Sequence, residues 1–385
     1  MKQTTIGLLF PRSSVYPGIG FDVTEGFKAA IAHYGSDATV IAESVGIGGV
    51  GDDVYKAAEK LLLQGNADLL VAYIDHTAAE AIEPLCNAAN KILIVIEPGA
   101  VIPTNWAASP LRFHLTLDSA SGSRLVGHIA ASEGSRKAIF ATSFYDGGYL
   151  NCNAMVDTYT ADGSTICYNY VAPFKYEEFD IKHIVAAAEQ QHPDAILAQL
   201  SIETGKLFLE EFGKSNIVDK VKFYSSPFLL EESFLSTVLF TNVNIKGVVP
   251  WSRMLDNDTN RMFLKALEER GREGNCFSAL AWDAAQFAIK VIEALNVSKF
   301  NSRKAAESLS GIEIQSTRGK LVHDPETNYF PGPLYKAEVV KDANGFSMLA
   351  IGEEVPYWQE VWKIHRSKPI TETYSRWVNT YLCTT

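Results

Sequence analysis

Short unbroken apolar runs alternate along this chain with longer stretches in which apolar residues recur every three or four positions. The first pattern predicts strands buried on both faces, the second amphipathic helices. Residues 66–82 show both. An apolar run over 69–72 breaks at Asp75, His76 and Thr77, and Ala78, Ala81, Ile82 and Leu85 then recur at helical spacing. A buried strand there meets a helix amino end across a polar turn. Ligands bind at such places in open parallel sheets, where the first-turn N–H groups of the helix lack intrahelical partners.

The same alternation runs through the amino-terminal part. Strands are expected over 6–10, 39–45, 69–72 and 92–96, with helices over 22–34, 53–64 and 78–89. That order is the signature of a doubly wound sheet. A short strand over 112–117 and a helix through 131 follow, and the alternation restarts. Strands over 138–142, 166–170, 195–199, 222–224 and 245–250 are separated by helices over 151–159, 180–190 and 204–212. Two similar α/β units of about the same size result, a pseudo-repeat. Helices over 260–270, 278–294 and 304–309 come next, then a β-rich end. It has a strand over 319–322, a turn over 324–328, a strand over 334–340 and hairpin chemistry over 341–345. The aromatic tail, with Tyr357, Trp358, Trp362, Tyr374, Trp377 and Tyr381, is expected to pack on a lobe.

Composition narrows the function classes. The 385 residues suit two domains, each able to bury a core. A net charge of −11 argues against nucleic acid and anionic membrane partners. No span approaches the roughly 20 apolar residues of a membrane helix, so direct membrane insertion is not expected. The five cysteines have no C-x-x-C spacing, so no metal site is expected. Cys152 and Cys167 are a possible pair in an oxidising compartment, with free thiols the preferred reading. The first strand starts almost at Met1, which predicts a cytoplasmic protein or a mature form without its leader.

Gly46-Ile47-Gly48-Gly49-Val50-Gly51 matches G-x-G-x-x-G between a strand and a helix, with Asp75 ending the next strand. A dinucleotide reading is weakened because the run follows the second strand, and because Asp52 and Asp53 would repel a pyrophosphate at the helix start. No hydrolase elbow, zinc-protease motif or P-loop is present, so no catalytic residue is assigned. What remains is a polar and aromatic set at the strand ends of both units. The first unit contributes Ser13, Ser14, Tyr16, Tyr73, Asp75, His76, Thr77, Gly99 and Ala100. The second contributes Phe144, Tyr145, Tyr149, Ser201, Glu203, Pro227 and Phe228. Hydroxyls and helix-start N–H groups suit a carboxylate, and the rings suit an apolar body or a cation.

At these residues the chain resembles the type I periplasmic solute-binding proteins of the leucine/isoleucine/valine-binding class. The resemblance rests on the opening Ile6-Gly7-Leu8-Leu9-Phe10-Pro11-Arg12-Ser13-Ser14, on Gly20 before the helix beginning Glu25-Gly26-Phe27, and on Ala281-Trp282-Asp283-Ala284-Ala285. Gly319-Lys320-Leu321-Val322-His323-Asp324 completes it. It implies an α/β fold of two doubly wound, Rossmann-like lobes with a ligand cleft and hinge closure. Lobe one would be 1–117 plus 250–330 and lobe two 118–249 plus 331–385, with crossovers near 117, 249 and 330. It implies no enzyme activity and no cofactor. It further implies a periplasmic or other extracytoplasmic location, a small-molecule ligand (an amino acid or a related carboxylate or amide) and the membrane subunits of an ABC importer as partners. Residues matching Asp75–Thr77 and Gly99-Ala100 would hold a ligand carboxylate; Tyr145 or Tyr149, Ser201 and the Pro227 turn would line the other wall. The chain departs from the amino-acid-binding pattern at Ser225-Ser226-Pro227-Phe228, where no acid precedes Glu231. The ammonium partner would then be Glu203 or Asp75, or the ligand is an amide, an aromatic acid or another small carboxylate. Two alternatives stand beside this reading: a cytoplasmic ligand sensor of the same fold that regulates a partner, and an NAD-dependent oxidoreductase resting on the glycine run alone.

Overall fold

A computed structural model describes residues 3–101, 103, 105–161, 163–367 and 381. The chain starts with β1 (Thr5–Phe10), α1 (Ile19–His33), β2 (Thr39–Ser44), α2 (Gly51–Glu59), β3 (Leu69–Tyr73), α3 (His76–Ala88), β4 (Ile92–Glu97) and β5 (Arg112–Thr116). It continues through α4 (Ser119–Ser132), β6 (Lys137–Ser143), α5 (Leu150–Thr160), β7 (Thr165–Ala172), α6 (Lys182–Gln191) and β8 (Ala195–Gln199). Next come α7 (Ile202–Gly213), β9 (Lys222–Ser225), α8 (Glu232–Leu235) and β10 (Ile245–Val249). Then follow α9 (Asp258–Glu268), α10 (Cys276–Val297), α11 (Ser302–Ser308), β11 (Glu313–Ser316), β12 (Gly319–Val322), β13 (Tyr329–Phe330), β14 (Tyr335–Lys341), β15 (Ser347–Glu354) and α12 (Trp358–Ser367). These elements form two compact units. The first takes 3–117 and Leu255–Pro333, together with Tyr381; the second takes Asp118–Met254 and 334–367.

The first unit holds a six-stranded sheet in the order β13-β5-β4-β3-β1-β2, parallel throughout. The apolar runs explain it. Every residue of β3 and of β4 is buried, as a central parallel strand covered by helices on both faces requires. The order reverses between β1 and β3, which places the topological switch point at their carboxyl ends. A separate β11–β12 hairpin belongs to this unit. Trp282, on α10, is fully buried.

The second unit repeats the plan. Its sheet runs β15-β14-β10-β9-β8-β6-β7, parallel from β7 to β10, with β14 and β15 added antiparallel. The switch point lies between β6 and β8. Helices α4 and α5 pack so closely that a Cβ on Gly127 would fall 2.1 Å from the Met155 carbonyl oxygen. Glycine is therefore needed there for backbone approach. Val361, Tyr357 and Trp358 lie against the core beneath α4, and Trp362 and His365 are buried. Arg124 Nε donates to His365 Nδ1 at 3.1 Å. Tyr374 and Trp377 lie outside the described residues.

Several elements differ from the sequence reading at their ends, and at α3 the cap explains it. Helix α3 starts at His76 because the Asp75 carboxylate, as N-cap, accepts from the Ala78 amide at 2.7 Å. His76 and Thr77 therefore stand in the first helical turn, not in a polar loop. Helix α2 starts at Gly51, within the glycine run, and widens into a π-helical turn over Lys60–Gln64. Strand β13, only two residues long, was not anticipated.

Candidate ligand-binding site at the strand ends

In the first unit, the β1, β3 and β4 carboxyl ends bring Ser13, Ser14, Tyr16, Asp75, His76, Thr77, Gly99 and Ala100 to one end of the sheet. Much of their hydrogen-bonding capacity is engaged locally. Ser13 Oγ accepts from the Val15 and Tyr16 amides at 3.1 and 2.8 Å, shaping the loop after β1. The Tyr16 hydroxyl accepts from Asn275 Nδ2 at 2.9 Å, and Asn275 caps α10. The Gly99 amide donates to Glu97 Oε2 at 2.9 Å. Tyr73 is wholly buried and Ala100 is buried; Ser14 and Thr77 are exposed.

Burial pushes the Asp75 carboxyl up to about 6, against the lowering effect of the Ala78 and Thr77 amides. The His76 imidazole is enclosed. Its Nδ1 lies 3.1 Å from the Tyr329 hydroxyl and its Nε2 lies 3.5 Å from Glu97 Oε1. Its ring is 5.3 Å from that of His114, which stacks on Tyr329 at 4.4 Å. Burial, aided by the Arg112 guanidinium, pushes His76 down to about 3, so the ring is neutral at neutral pH. His76 thus faces the inside of the unit at the foot of the loop.

The glycine run is a structural turn here. Gly46 and Gly48 have φ of 58° and 76°, a region that favours glycine. Their carbonyls accept from the Arg12 amide at 2.6 Å and the Asp75 amide at 3.1 Å. The run laces the loop after β1 and the end of β3 together.

In the second unit, Phe144, Tyr145 and Tyr149 follow β6, Ser201 and Glu203 follow β8, and Pro227 and Phe228 follow β9. Asp146 is buried among them. Its Oδ2 accepts from Ser143 Oγ at 2.6 Å and from the Ser201 amide at 3.1 Å, so one carboxylate joins both sides of the switch point. Tyr149 and Phe228 are buried, and Pro227 rests on α4, its Cγ 2.9 Å from where a Cβ on Gly122 would sit. The carboxylate of Glu231 caps α8, accepting from the Phe234 amide at 3.0 Å.

The open face of this end is aromatic. Phe144 packs edge-on to Tyr145 and to Phe174, with centroids 6.2 and 5.9 Å apart. Phe144 is 57% exposed and Phe174 70%, with Tyr176 beside them at 49%. Large apolar rings left in water mark a contact surface. Burial raises the Tyr176 hydroxyl pKa, with Glu203 and Asp146 adding to it. Phe174, Tyr176 and Asp146 were missed in the sequence. The signal for the two rings was present: an aromatic pair directly after strand 166–170, at the same sheet end as the residues that were chosen.

Comparison with known proteins fits this architecture. The sequence profile of the periplasmic binding proteins matches residues 3–344. The chain belongs to that family. A Leu/Ile/Val-binding protein homolog 6 from Brucella suis biovar 1 (strain 1330) is 22% identical over 351 residues, 88% of each chain. Among solved structures, an ABC transporter substrate-binding protein from Sphaerobacter thermophilus superposes with a TM-score of 0.78 at 16% identity, covering 92% of this chain and 98% of that one. The solute-binding protein of an ABC transporter from Rhodopseudomonas palustris HaA2, solved in complex with p-hydroxybenzoic acid, gives 0.74 at 20% identity, covering 93% and 99%. As a periplasmic binding protein, the chain has an α/β fold of the type I class and belongs among solute-binding proteins, a family placed outside the cytoplasm. Among the described residues no helix is long and apolar enough to cross a membrane. Cys86, Cys152 and Cys167 are free thiols.

Proposed function

We propose that this periplasmic binding protein captures a small organic carboxylate with a flat apolar body and hands it, chemically unchanged, to the membrane subunits of an ABC importer. The observation that carries this reading is the open Phe144–Tyr145–Phe174 surface after strands β6 and β7 of the second unit. Rings at these spacings offer faces and edges to an aromatic body. In the proposal, Ser14, Thr77 and the backbone around Ala100 receive the carboxylate on the first unit, and Tyr145, Ser201 and Glu203 contact the solute on the second. Tyr73, Tyr149, Pro227 and Phe228, largely enclosed, support these loops from behind, as do Ser13, Tyr16, His76 and Gly99. The two units close over the solute by hinge motion at the crossovers near 117, 249 and 330, and closure is favoured only by contacts made in the closed state. Solute-binding proteins of Rhodopseudomonas palustris have been solved with benzoate and with 4-hydroxybenzoate, which supports the aromatic choice.

A second reading, an α-amino acid, is favoured by the Leu/Ile/Val-binding relatives and by the exposed Glu203 as an ammonium partner. Native mass spectrometry of the purified protein, followed by a thermal-shift panel of benzoates, branched-chain amino acids, amides and NAD, separates the readings. Stabilisation by benzoates that is lost in Tyr145→Ala and Thr77→Ala supports the proposal. Stabilisation by leucine alone replaces it with the second reading, and stabilisation by NAD alone overturns both.

A further inference from the structure

Glu97 makes contacts in two directions within the first unit. Its backbone carbonyl accepts from the Leu117 amide at 3.1 Å, and Leu117 is the last residue before the chain leaves this unit. Its side chain accepts from Gly99 at 2.9 Å and lies 3.5 Å from His76 Nε2. His76 opens α3 next to Asp75, and its Nδ1 lies 3.1 Å from the Tyr329 hydroxyl. Tyr329 begins β13, whose chain leaves the unit after Pro333. The two exit strands are themselves paired, with Tyr329 opposite His114 and the two rings stacked at 4.4 Å. The Tyr329 hydroxyl lies 3.1 Å from Nδ1 and 3.4 Å from Nε2 of His76, and the ring also bonds the Val101 backbone, so the imidazole ties Tyr329 to the loop that follows Glu97. All of these side chains are buried, where polar contacts are strong and a missing partner is costly.

We propose that Glu97, His76 and Tyr329 are positioning residues that hold the loops 75–77 and 97–100 in register with the two strands through which the chain exits the first unit. None of the three touches solute in this scheme. They transmit displacement of either loop to the exits at Leu117 and Pro333. The inference rests on the proposed role of those loops in solute binding, but its test does not use a solute, so the two fail separately.

The test is amide hydrogen–deuterium exchange on the full, solute-free chain. Tyr329→Phe removes one hydroxyl and keeps the ring. About tenfold faster exchange is expected at Ala78–Ala79, at Gly99 and at Leu117, with β2 and α2 unchanged. Glu97→Gln, which leaves the backbone bond to Leu117 in place, is expected to give the same pattern. The double variant should add little to either single variant, because coupled contacts are non-additive where independent ones add. Faster exchange confined to 329–330, or additive effects of the two substitutions, overturns the relay. If Tyr329→Phe does not fold, Glu97→Gln alone decides: unchanged exchange at Ala78–Ala79 rejects the proposal.

Discussion

Two neighbouring residues carry opposite pH signatures. Asp75 titrates near 6 in the folded chain against an ordinary value of 3.8, so the folded state holds its proton more tightly. The stability it contributes is complete below about 4 and is lost as pH rises through 6, on the order of 3 kcal/mol. Asp75→Asn keeps a capping side chain and removes the titration. Its urea midpoint should therefore gain on the parent between pH 4 and pH 7; a constant difference would place that carboxyl in water. His76 is pushed the other way, to about 3. Its contribution is present above about 6.5 and is lost as pH falls towards 3, because the unfolded chain takes up the proton first. His76→Asn should lose more stability relative to the parent at pH 7 than at pH 4, measured in the same way. A histidine at a strand end was plain in the sequence. The direction of its ring was not, since that depends on Tyr329, 253 residues further on. The same holds for Gly99, whose amide is engaged by Glu97, and for Ser13, whose hydroxyl shapes its own loop.

Elements were more legible than residues because their signals are local. Unbroken apolar runs marked the central parallel strands, whereas the strand order, which reverses at β1/β3 and β6/β8, rests on contacts distant in the chain. Helix starts were displaced by two residues where the capping side chains of Asp75, Asn257, Asn275 and Asn301 recruited residues read as loop. Strand β13 is too short to show a period; it exists because His114 and Leu115 offer it a pairing edge. Packing between helices was also hidden. The α4–α5 contact is closed by a glycine, and Gly127→Ala would drive a methyl to 2.1 Å from a backbone oxygen. We expect that substitution to cost about 1–3 kcal/mol or more in chemical denaturation, as overpacking against backbone does. An unchanged midpoint would mean that α4 and α5 lie further apart.

For the molecule as a whole, the match to the periplasmic binding proteins places the chain among solute-binding proteins, and the repeated α/β plan agrees with it. Solute identity was the least legible property. Of the exposed rings on which the proposed solute class rests, Phe174 follows the edge strand β7 and has no counterpart among the strand-end residues read from the sequence. The departure at Ser225–Phe228 reads the same way in three dimensions, since the next acid, Glu231, is engaged as a helix cap. Titration calorimetry of the protein, unfolded and refolded to strip carried-over solute, with 4-hydroxybenzoate is the decisive test of aromatic-carboxylate capture. We expect one site per chain with a Kd in the micromolar range or tighter, at least tenfold weaker in both Tyr145→Ala and Phe174→Ala. Absence of binding by 4-hydroxybenzoate and benzoate, with leucine binding to the same preparation, would contradict it.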